Sequence, residues 1–303
     1  MAMQVDFPDA TLGAVVTGVA LSTLDDDAFA RILALWHERA VLVFPGQHLD
    51  DDDHIAFSAR FGRFERGLKQ SSVSKLGVLS NVARDGSVAP PTSLQARFHL
   101  GNLQWHSDSS YKSVGAKASL LNARVVPSEG GETEWADMRA AWDALSPAMQ
   151  RRLDGAIAVH SYAYSHAWHG GLEIVNADDL AALAPVQHPV VAKHPATGRR
   201  SLFIGRHASY LVREVGEVGE VGEDALGEAE AASRALLQQL TEAACQPPRL
   251  WKHRWRAGDI AIWDNRCLLH RGHAWPADQP RTMVRTTIAG DAPDNPWAMP
   301  ATD

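Results

Sequence analysis

The segment WHSDSS at residues 105–110 places a histidine and a carboxylate two positions apart, at His106 and Asp108. In a β-strand, residues two positions apart point to the same face, so these side chains would project together into one cavity. Imidazole nitrogens and carboxylate oxygens are both ligands of divalent transition metals. The spacing therefore predicts half of a metal site.

The best candidate for a third ligand is His270 in DNRCLLHRG, at the end of an apolar predicted strand. Two imidazoles and one carboxylate leave adjacent coordination positions open, as in non-haem Fe(II) oxygenases. A structural zinc site would need four ligands, usually with thiolates, whereas Cys245 and Cys267 are the only cysteines and read as core residues. Because the chain has 14 histidines, the alternative is that His270 is an ordinary hydrogen-bonded core residue.

Two arginines, Arg281 and Arg285, follow within the segment RTMVRTTIAG. Their separation of four positions puts both on the same face of a predicted strand. Guanidinium groups that face an interior are costly unless each one meets an anion, and arginine forms paired hydrogen bonds with carboxylates. The pattern thus predicts two anionic ligands beside the metal, one a cosubstrate and the other a substrate.

Short strands separated by turn residues must position these side chains. The predicted strands are 12–21, 40–46, 78–82, 119–126, 129–135, 156–161, 188–194, 201–205, 249–255, 259–265, 267–272 and 282–290. The predicted helices begin after Thr23, which would cap the first of them, and lie within 51–62 and at 138–145, 146–153 and 228–244. A doubly wound sheet would need a helix after nearly every strand, so the pattern favours a β-sandwich or barrel with helical insertions. We expect one domain over residues 1–303.

The composition argues against some classes of binding partner. The net charge of −7 comes without a basic run, which argues against nucleic acid as a partner. The first residues, MAMQVDFPDA, do not resemble a signal peptide, and the apolar runs fall well short of the roughly 20 residues that cross a bilayer. We therefore expect a cytoplasmic protein without membrane association, and the sequence leaves open whether it forms a homo-oligomer.

Two segments have unusual composition. The repeat EVGEVGEVGE at 214–223 predicts a solvated loop, with a mobile lid as the alternative. The stretch HSYAYSHAWHGGLEIV at 160–175 is rich in histidine and aromatic residues. We expect its histidines, His160, His166 and His169, to be packing or surface residues rather than metal ligands. The stretch would shape specificity, and whether it contacts the substrate stays open.

Several of these motifs together resemble one family. WHSDSS, GGETEWADMRAAWDAL, HRWRAGDIAIWDNRCLLHRG and the following R-x-x-x-R resemble the Fe(II)/2-oxoglutarate dioxygenases of the taurine dioxygenase and 2,4-dichlorophenoxyacetate dioxygenase family. The likeness is stronger to the phenoxyacetate branch and spans nearly the whole chain. It implies a mainly β fold with helical insertions, a cupin-like double-stranded β-helix or jelly roll, in which His106, Asp108 and His270 hold Fe(II).

The resemblance also implies roles for residues around the metal. Arg281 would bind the distal carboxylate of 2-oxoglutarate, and Thr133 in GGETEW would help to hold this cosubstrate. Arg285 would bind the acidic group of the substrate. Asn102 would line the substrate pocket, and Lys69 in LKQSS would belong to a lid that faces the substrate.

The implied reaction uses O2 to hydroxylate a small organic anion and releases succinate and CO2. If the hydroxylated carbon bears an ether oxygen, the product is a hemiacetal that breaks down to a phenol, so an aryloxyalkanoate would be cleaved. One alternative is the same chemistry on a sulfonate, an N-acyl amino acid or a natural-product acid. Another is a jelly-roll protein that binds a metal or a ligand without turnover.

Overall fold

The structure, a computed structural model, describes residues 2–67, 74–83, 85–90, 92–93, 100–167, 177–213, 223–296 and 298–299. Lys69, His169 and nearly all of the Val-Gly-Glu repeat lie outside these residues. The described residues include fifteen strands with helices inserted between them, as the sequence predicts. Among the described helices, none has both the length and the apolar character needed to cross a membrane.

The elements follow the predicted order closely. The strands are β1 (Gln4–Asp6), β2 (Ala14–Thr17), β3 (Val41–Phe44), β4 (Gly77–Ser80), β5 (Ala118–Val125), β6 (Thr133–Asp137), β7 (Ile157–His160), β8 (Val186–Pro189), β9 (Val191–Lys193), β10 (Arg200–Leu202), β11 (Ala208–Arg213), β12 (Leu250–His253), β13 (Ile260–Asp264), β14 (Leu268–Gly272) and β15 (Thr282–Ile288). The helices are α1 (Asp26–Arg39), α2 (Asp51–Ala59), α3 (Met138–Asp143), α4 (Pro147–Leu153), α5 (Tyr162–Ala167), α6 (Ala177–Ala182) and α7 (Glu223–Ala244).

The largest sheet has the strand order β1-β2-β3-β13-β5-β15-β4. Its central strand β13 is buried on both faces. Ile260 and Ile262 pack with Trp36 of α1 and other apolar residues of the helical layer, whereas Ala261 and Trp263 face the opposite side. This double burial explains why β13 is apolar at nearly every position rather than alternating.

A smaller sheet, ordered β12-β6-β14, packs against the inner face of the large one. Trp135 of β6 contacts Trp263, with ring centroids 6.0 Å apart. On the other face of the small sheet, Ala136 and Leu269 pack against the apolar side of α7, including Leu240. The small sheet is therefore held between the large sheet and α7, and β14 carries His270 along the boundary of the large sheet.

Three local differences from the sequence predictions have physical causes. Asp25, not Thr23, caps α1, since its carboxylate accepts from the Ala28 N–H at 2.7 Å while Thr23 ends a 3-10 turn. The short helices α5 and α6 were not predicted, because six residues carry too little periodicity to stand out. The predicted strand 188–194 is divided between β8 and β9, which belong to different sheets.

A buried ion pair at the end of β13 supports a stability prediction. Asp264 is fully buried and accepts from Arg266 Nε at 2.8 Å and from His194 Nε2 at 2.9 Å. We predict that Asp264→Asn lowers the free energy of unfolding by about 3–5 kcal/mol, because Arg266 loses its buried counterion. Asp154→Asn, which breaks the exposed pair with Arg200, should cost less than about 1 kcal/mol in the same urea titration. Equal losses in the two variants would contradict this prediction.

Candidate functional site

The three predicted metal ligands lie together in the structure. The candidate ligand atoms of His106, Asp108 and His270 are all within 4.8 Å of one another, and the three residues are buried. The Nε2 of His270 is 3.6 Å from Asp108 Oδ2, and the Nε2 of His106 is 4.0 Å from Asp108 Oδ1. Two imidazoles and one carboxylate therefore face a common point, with room for further ligands on the cavity side.

The backbone brings these residues together differently from the strand expected for WHSDSS. His106 forms an isolated antiparallel bridge with His270, with N–H to carbonyl distances of 3.0 and 2.8 Å in the two directions. The bridge holds the rings side by side, with centroids 4.1 Å apart. After this one bridge the chain turns, and Ser109 adopts a positive φ of 58°. A turn, not strand alternation, thus aims Asp108 at the histidines.

A network of neutral donors orients the Asp108 carboxylate. Ser119 Oγ donates to Asp108 Oδ2 at 2.6 Å, and Asn265 Nδ2 donates to Ser119 Oγ at 3.0 Å. The Asn265 side-chain oxygen in turn accepts from the Asp108 N–H at 3.2 Å. Burial alone would raise the pKa of Asp108, but Arg285, with Nη1 at 3.1 Å, and the neighbouring histidines and Ser119 keep this pKa below its ordinary value. The carboxylate is held ionised in one orientation.

The two histidines are set for metal binding in their neutral form. His106 Nδ1 lies 2.7 Å from the Gln104 carbonyl, which can only accept, so Nδ1 carries the proton and Nε2 keeps its lone pair. Burial lowers the pKa of His270 to about 4. Burial and the nearby His270 together hold the pKa of His106 well below its ordinary value. Neutral imidazoles and an ionised carboxylate are the forms that bind a divalent metal, and this donor set fits Fe(II).

A small cavity of about 60 Å³ lies on one side of the histidines, and Thr133 and Arg281 line it together with His270. Arg281 donates from Nη2 to the Gly131 carbonyl at 3.1 Å, but its buried Nε has no partner in the described part of the chain. Burial lowers the pKa of Arg281 to about 10. Thr133 Oγ1 accepts from Trp255 Nε1 at 3.0 Å, which leaves its own hydrogen for a ligand. Both residues are placed to receive a carboxylate.

A larger cavity of about 470 Å³ opens on the other side of His106 and Asp108, and Arg206 lies in its wall. Arg206 donates from Nε to His207 Nε2 at 3.3 Å, its Nη1 is enclosed without a partner, and it has no ion pair among the described residues. Burial lowers the pKa of this guanidinium below its ordinary value. A partly buried arginine without a counterion is costly, so an anion in this cavity would stabilise it.

Arg206 was missed from the sequence. It follows the short strand β10 as a single basic residue in a loop, with no second charge at a regular spacing to mark its face. The signal that could have found it is the adjacent His207, which places an Arg-His pair next to an apolar strand. Such a pair is common on surfaces, so its value depends on where the fold puts it.

The remaining predicted site residues are Arg285, Asn102 and Lys69. Arg285 and Asn102 line both cavities, and Arg281 joins them in the small one. Arg285 also bonds to Asp108, so part of its charge is already neutralised. Lys69 lies outside the described residues.

The histidine-rich stretch contributes side chains to the wall of the larger cavity. His166 and Tyr162, both buried, line it, and the rings of Tyr162 and Tyr111 are 4.6 Å apart. His160 is fully buried and stacks on Phe203 at 5.2 Å between centroids. None of these is part of the His-Asp-His cluster among the described residues.

Comparison with known proteins adds four findings. Residues 6–287 match the family described as taurine catabolism dioxygenase TauD, TfdA family. The chain is 41% identical over 297 residues to a (S)-phenoxypropionate/alpha-ketoglutarate-dioxygenase of Delftia acidovorans, covering 95% of each chain. It is 38% identical over 269 residues to an alpha-ketoglutarate-dependent 2,4-dichlorophenoxyacetate dioxygenase of Cupriavidus pinatubonensis, covering 86% of this chain and 88% of the relative. It also superposes on the crystal structure of AAD-2 in complex with Mn(II) and N-oxalylglycine, with a TM-score of 0.84, 33% identity and coverage of 97% and 98%.

Removing the Ser119 hydroxyl tests whether the His106, Asp108 and His270 cluster binds a metal. We predict that Ser119→Ala weakens Fe(II) binding roughly 10-fold, because Asp108 loses the hydrogen bond that fixes Oδ2. Anaerobic equilibrium dialysis of Fe(II) would measure the change without relying on turnover. Ser209→Ala is the matched control, since it removes another buried hydroxyl, which donates to the Val159 carbonyl at 2.9 Å and is not bonded to any of the three candidate ligands. Equal metal affinities in both variants would contradict the role of Ser119.

Proposed function

Because the chain belongs to the taurine catabolism dioxygenase TauD, TfdA family and is an Fe(II)- and 2-oxoglutarate-dependent dioxygenase, we propose that it oxidises a small carboxylate of the aryloxyalkanoate class. The observation that carries this proposal is the position of the His106, Asp108 and His270 cluster between two cavities, each with an arginine that has a buried nitrogen without a partner among the described residues. Each of the two cavities suits one of the two anionic reactants.

We propose that His106, Asp108 and His270 are the Fe(II) ligands. When bound, the metal supplies the activation of O2, coupled to conversion of 2-oxoglutarate to succinate and CO2. The protein's own contribution is a donor set fixed by Ser119, Asn265 and the bridge between the two histidines. Such fixed ligands leave the remaining coordination positions for the reactants.

Arg281 and Thr133 are our proposed binding residues for 2-oxoglutarate. The small cavity holds them on the same side as His270, and a carboxylate there would take up the free Nε of Arg281 and the free hydrogen of Thr133. A forked guanidinium matches a carboxylate better than a single ammonium would.

The larger cavity is the proposed substrate site. Arg206 is its anion anchor and Arg285 and Asn102 also line it, because Arg206 has no carboxylate partner among the described residues while Arg285 already bonds to Asp108. Tyr111 in the cavity wall suits an aromatic body. Anchoring the acid would orient one C–H bond toward the three candidate ligands, and hydroxylation at a carbon that bears an ether oxygen would give a hemiacetal that collapses to a phenol and a keto or aldehyde acid.

The proposal also covers the fold and the domain organisation. We propose that the large sheet and the facing β12-β6-β14 sheet form the double-stranded β-helix of the family, and that residues 1–303 are one domain. Antiparallel pairing around the inner strands and the packing of Trp135 on Trp263 support this arrangement.

The proposed reaction makes a clear prediction. With Fe(II), 2-oxoglutarate and O2, the chain should convert 2-phenoxypropionate to phenol and pyruvate and release one succinate for each phenol. His270→Ala should abolish both products, since it removes one of the three metal ligands. Assaying each enantiomer, a short-chain sulfonate and an N-acyl amino acid in parallel would identify the preferred anion. The absence of succinate with every acid would favour the non-catalytic alternative.

The division of labour between the arginines gives a second prediction. Arg281→Gln should raise the KM for 2-oxoglutarate roughly 10- to 100-fold and leave that for the substrate nearly unchanged, because it loses a charge-assisted contact in the small cavity only. Arg206→Gln should have the reverse effect. Steady-state kinetics with each reactant varied in turn would measure both, and Arg199→Gln, an exposed arginine paired with Asp143, is the control. Equal effects of Arg281→Gln and Arg206→Gln on both KM values would refute the assignment.

A further inference from the structure

A further cavity, of about 290 Å³, lies between α7 and the segment at residues 103–105. Leu237 and Thr241 on one face of α7 form one wall, and Leu103 and Trp105 form the opposite wall. This cavity does not include His106, Asp108 or His270, so it is separate from the proposed metal centre. We refer to it as the α7 cavity.

Three short segments separate the α7 cavity from the larger cavity, which we call the substrate cavity after its proposed role. They lie at residues 102–106, 162–166 and 205–208. In each segment, some residues line one cavity and others line the second. Tyr162 lines the substrate cavity while Tyr164 lines the α7 cavity. Arg206 lines both. The two cavities therefore share a thin wall, and one guanidinium in it is accessible to the lining of each.

The charges in the α7 cavity are not balanced. Arg234 Nε and Arg206 Nη1 are both enclosed without a hydrogen-bond partner in the described ranges, and neither arginine has an ion pair there. Arg271 also lines the cavity, but it is already paired with Glu134 at 2.8 Å. The one acid in the lining, Glu242, accepts the Gln238 amide at 3.0 Å. Two guanidinium groups without ion pairs in this part of the structure, both beside one cavity, favour an anion there.

The rest of the lining identifies what kind of anion fits. Leu103, Trp105 and Leu237 offer apolar surface, and the Tyr164 ring lies under the Arg234 guanidinium at 5.2 Å. We propose that the α7 cavity is a second binding site for an organic monocarboxylate with an apolar or aromatic body, held by Arg234 and Arg206. This inference rests on the proposed function, because such an anion belongs to the same chemical class as the proposed substrate.

Occupancy of the α7 cavity would act on the metal centre through two contacts. Gln104 lines this cavity, and its carbonyl accepts the His106 Nδ1 hydrogen at 2.7 Å. The backbone N–H of Arg206 donates to the Trp105 carbonyl at 2.9 Å, so this part of the wall is hydrogen-bonded to the segment that carries Gln104 and His106. A carboxylate in the α7 cavity also competes for the guanidinium that anchors the substrate. The expected consequence is inhibition by the substrate acid at high concentration.

Binding stoichiometry tests this site. Equilibrium dialysis of phenoxyacetate against the full chain with Fe(II) and 2-oxoglutarate, under anaerobic conditions, should show two sites per chain. Arg234→Gln should weaken the second site roughly 10-fold or more and leave the first unchanged. In turnover with phenoxyacetate, the same variant should keep its rate at low concentration and lose inhibition at high concentration. Arg151→Gln on α4, an exposed arginine, is the control for loss of one positive charge.

A second variant covers the case in which Arg234→Gln perturbs folding. Leu237→Trp fills the α7 cavity without changing any charge and should likewise abolish the second site. One site in the unmodified chain, or two sites that persist in both variants, would overturn the proposal. Since dialysis requires no turnover, a chain that fails to oxidise phenoxyacetate would refute the proposed function while the second site is still counted.

Discussion

The backbone bridge between His106 and His270 is the contact on which the site depends. It joins two segments far apart in the chain through a pair of reciprocal hydrogen bonds, and it sets both imidazoles side by side. The large sheet positions the remaining parts from its inner face, where Ser119 of β5 and Arg285 of β15 reach Asp108. A small movement of β14 relative to the 105–110 segment would separate His270 from both His106 and Asp108.

Electrostatics distinguishes three arginines that look equivalent in the sequence. Arg285 is neutralised by Asp108, and this pair keeps the carboxylate ionised. Arg281 and Arg206 have no ion pairs among the described residues, and burial lowers the pKa of each. An unpaired guanidinium in a low-dielectric cavity destabilises the folded chain, so its presence in each cavity has a physical reason only if an anion arrives there. This charge pattern supports the proposal that each cavity binds one acid.

The sequence predicts well which three side chains lie together, and it predicts poorly the backbone that brings them there. The types and order of His106, Asp108 and His270 are visible in the motifs, and strand periodicity correctly puts Arg281 and Arg285 on one side, since both line the small cavity. The strand assumed for WHSDSS was wrong, because a single bridge followed by a left-handed Ser109 replaces it. Arg206 was missed because its role arises from burial beside a cavity, and spacing along a chain carries no information about burial in a loop.

The turn after Asp108 links the wall of the larger cavity to the three candidate metal ligands. Ser109 keeps its positive φ while its Oγ donates to Glu65 Oε1 at 2.6 Å, and the same oxygen accepts from Lys112 Nζ at 2.7 Å. All three side chains are buried or nearly so, and all three line the larger cavity. A backbone conformation that is unfavourable for serine persists only where neighbours fix it, and here the neighbour Glu65 comes from the cavity wall. The wall that would contact a substrate therefore also holds the residue next to the proposed metal ligand Asp108, so the shape of the pocket and the direction of that carboxylate cannot vary independently.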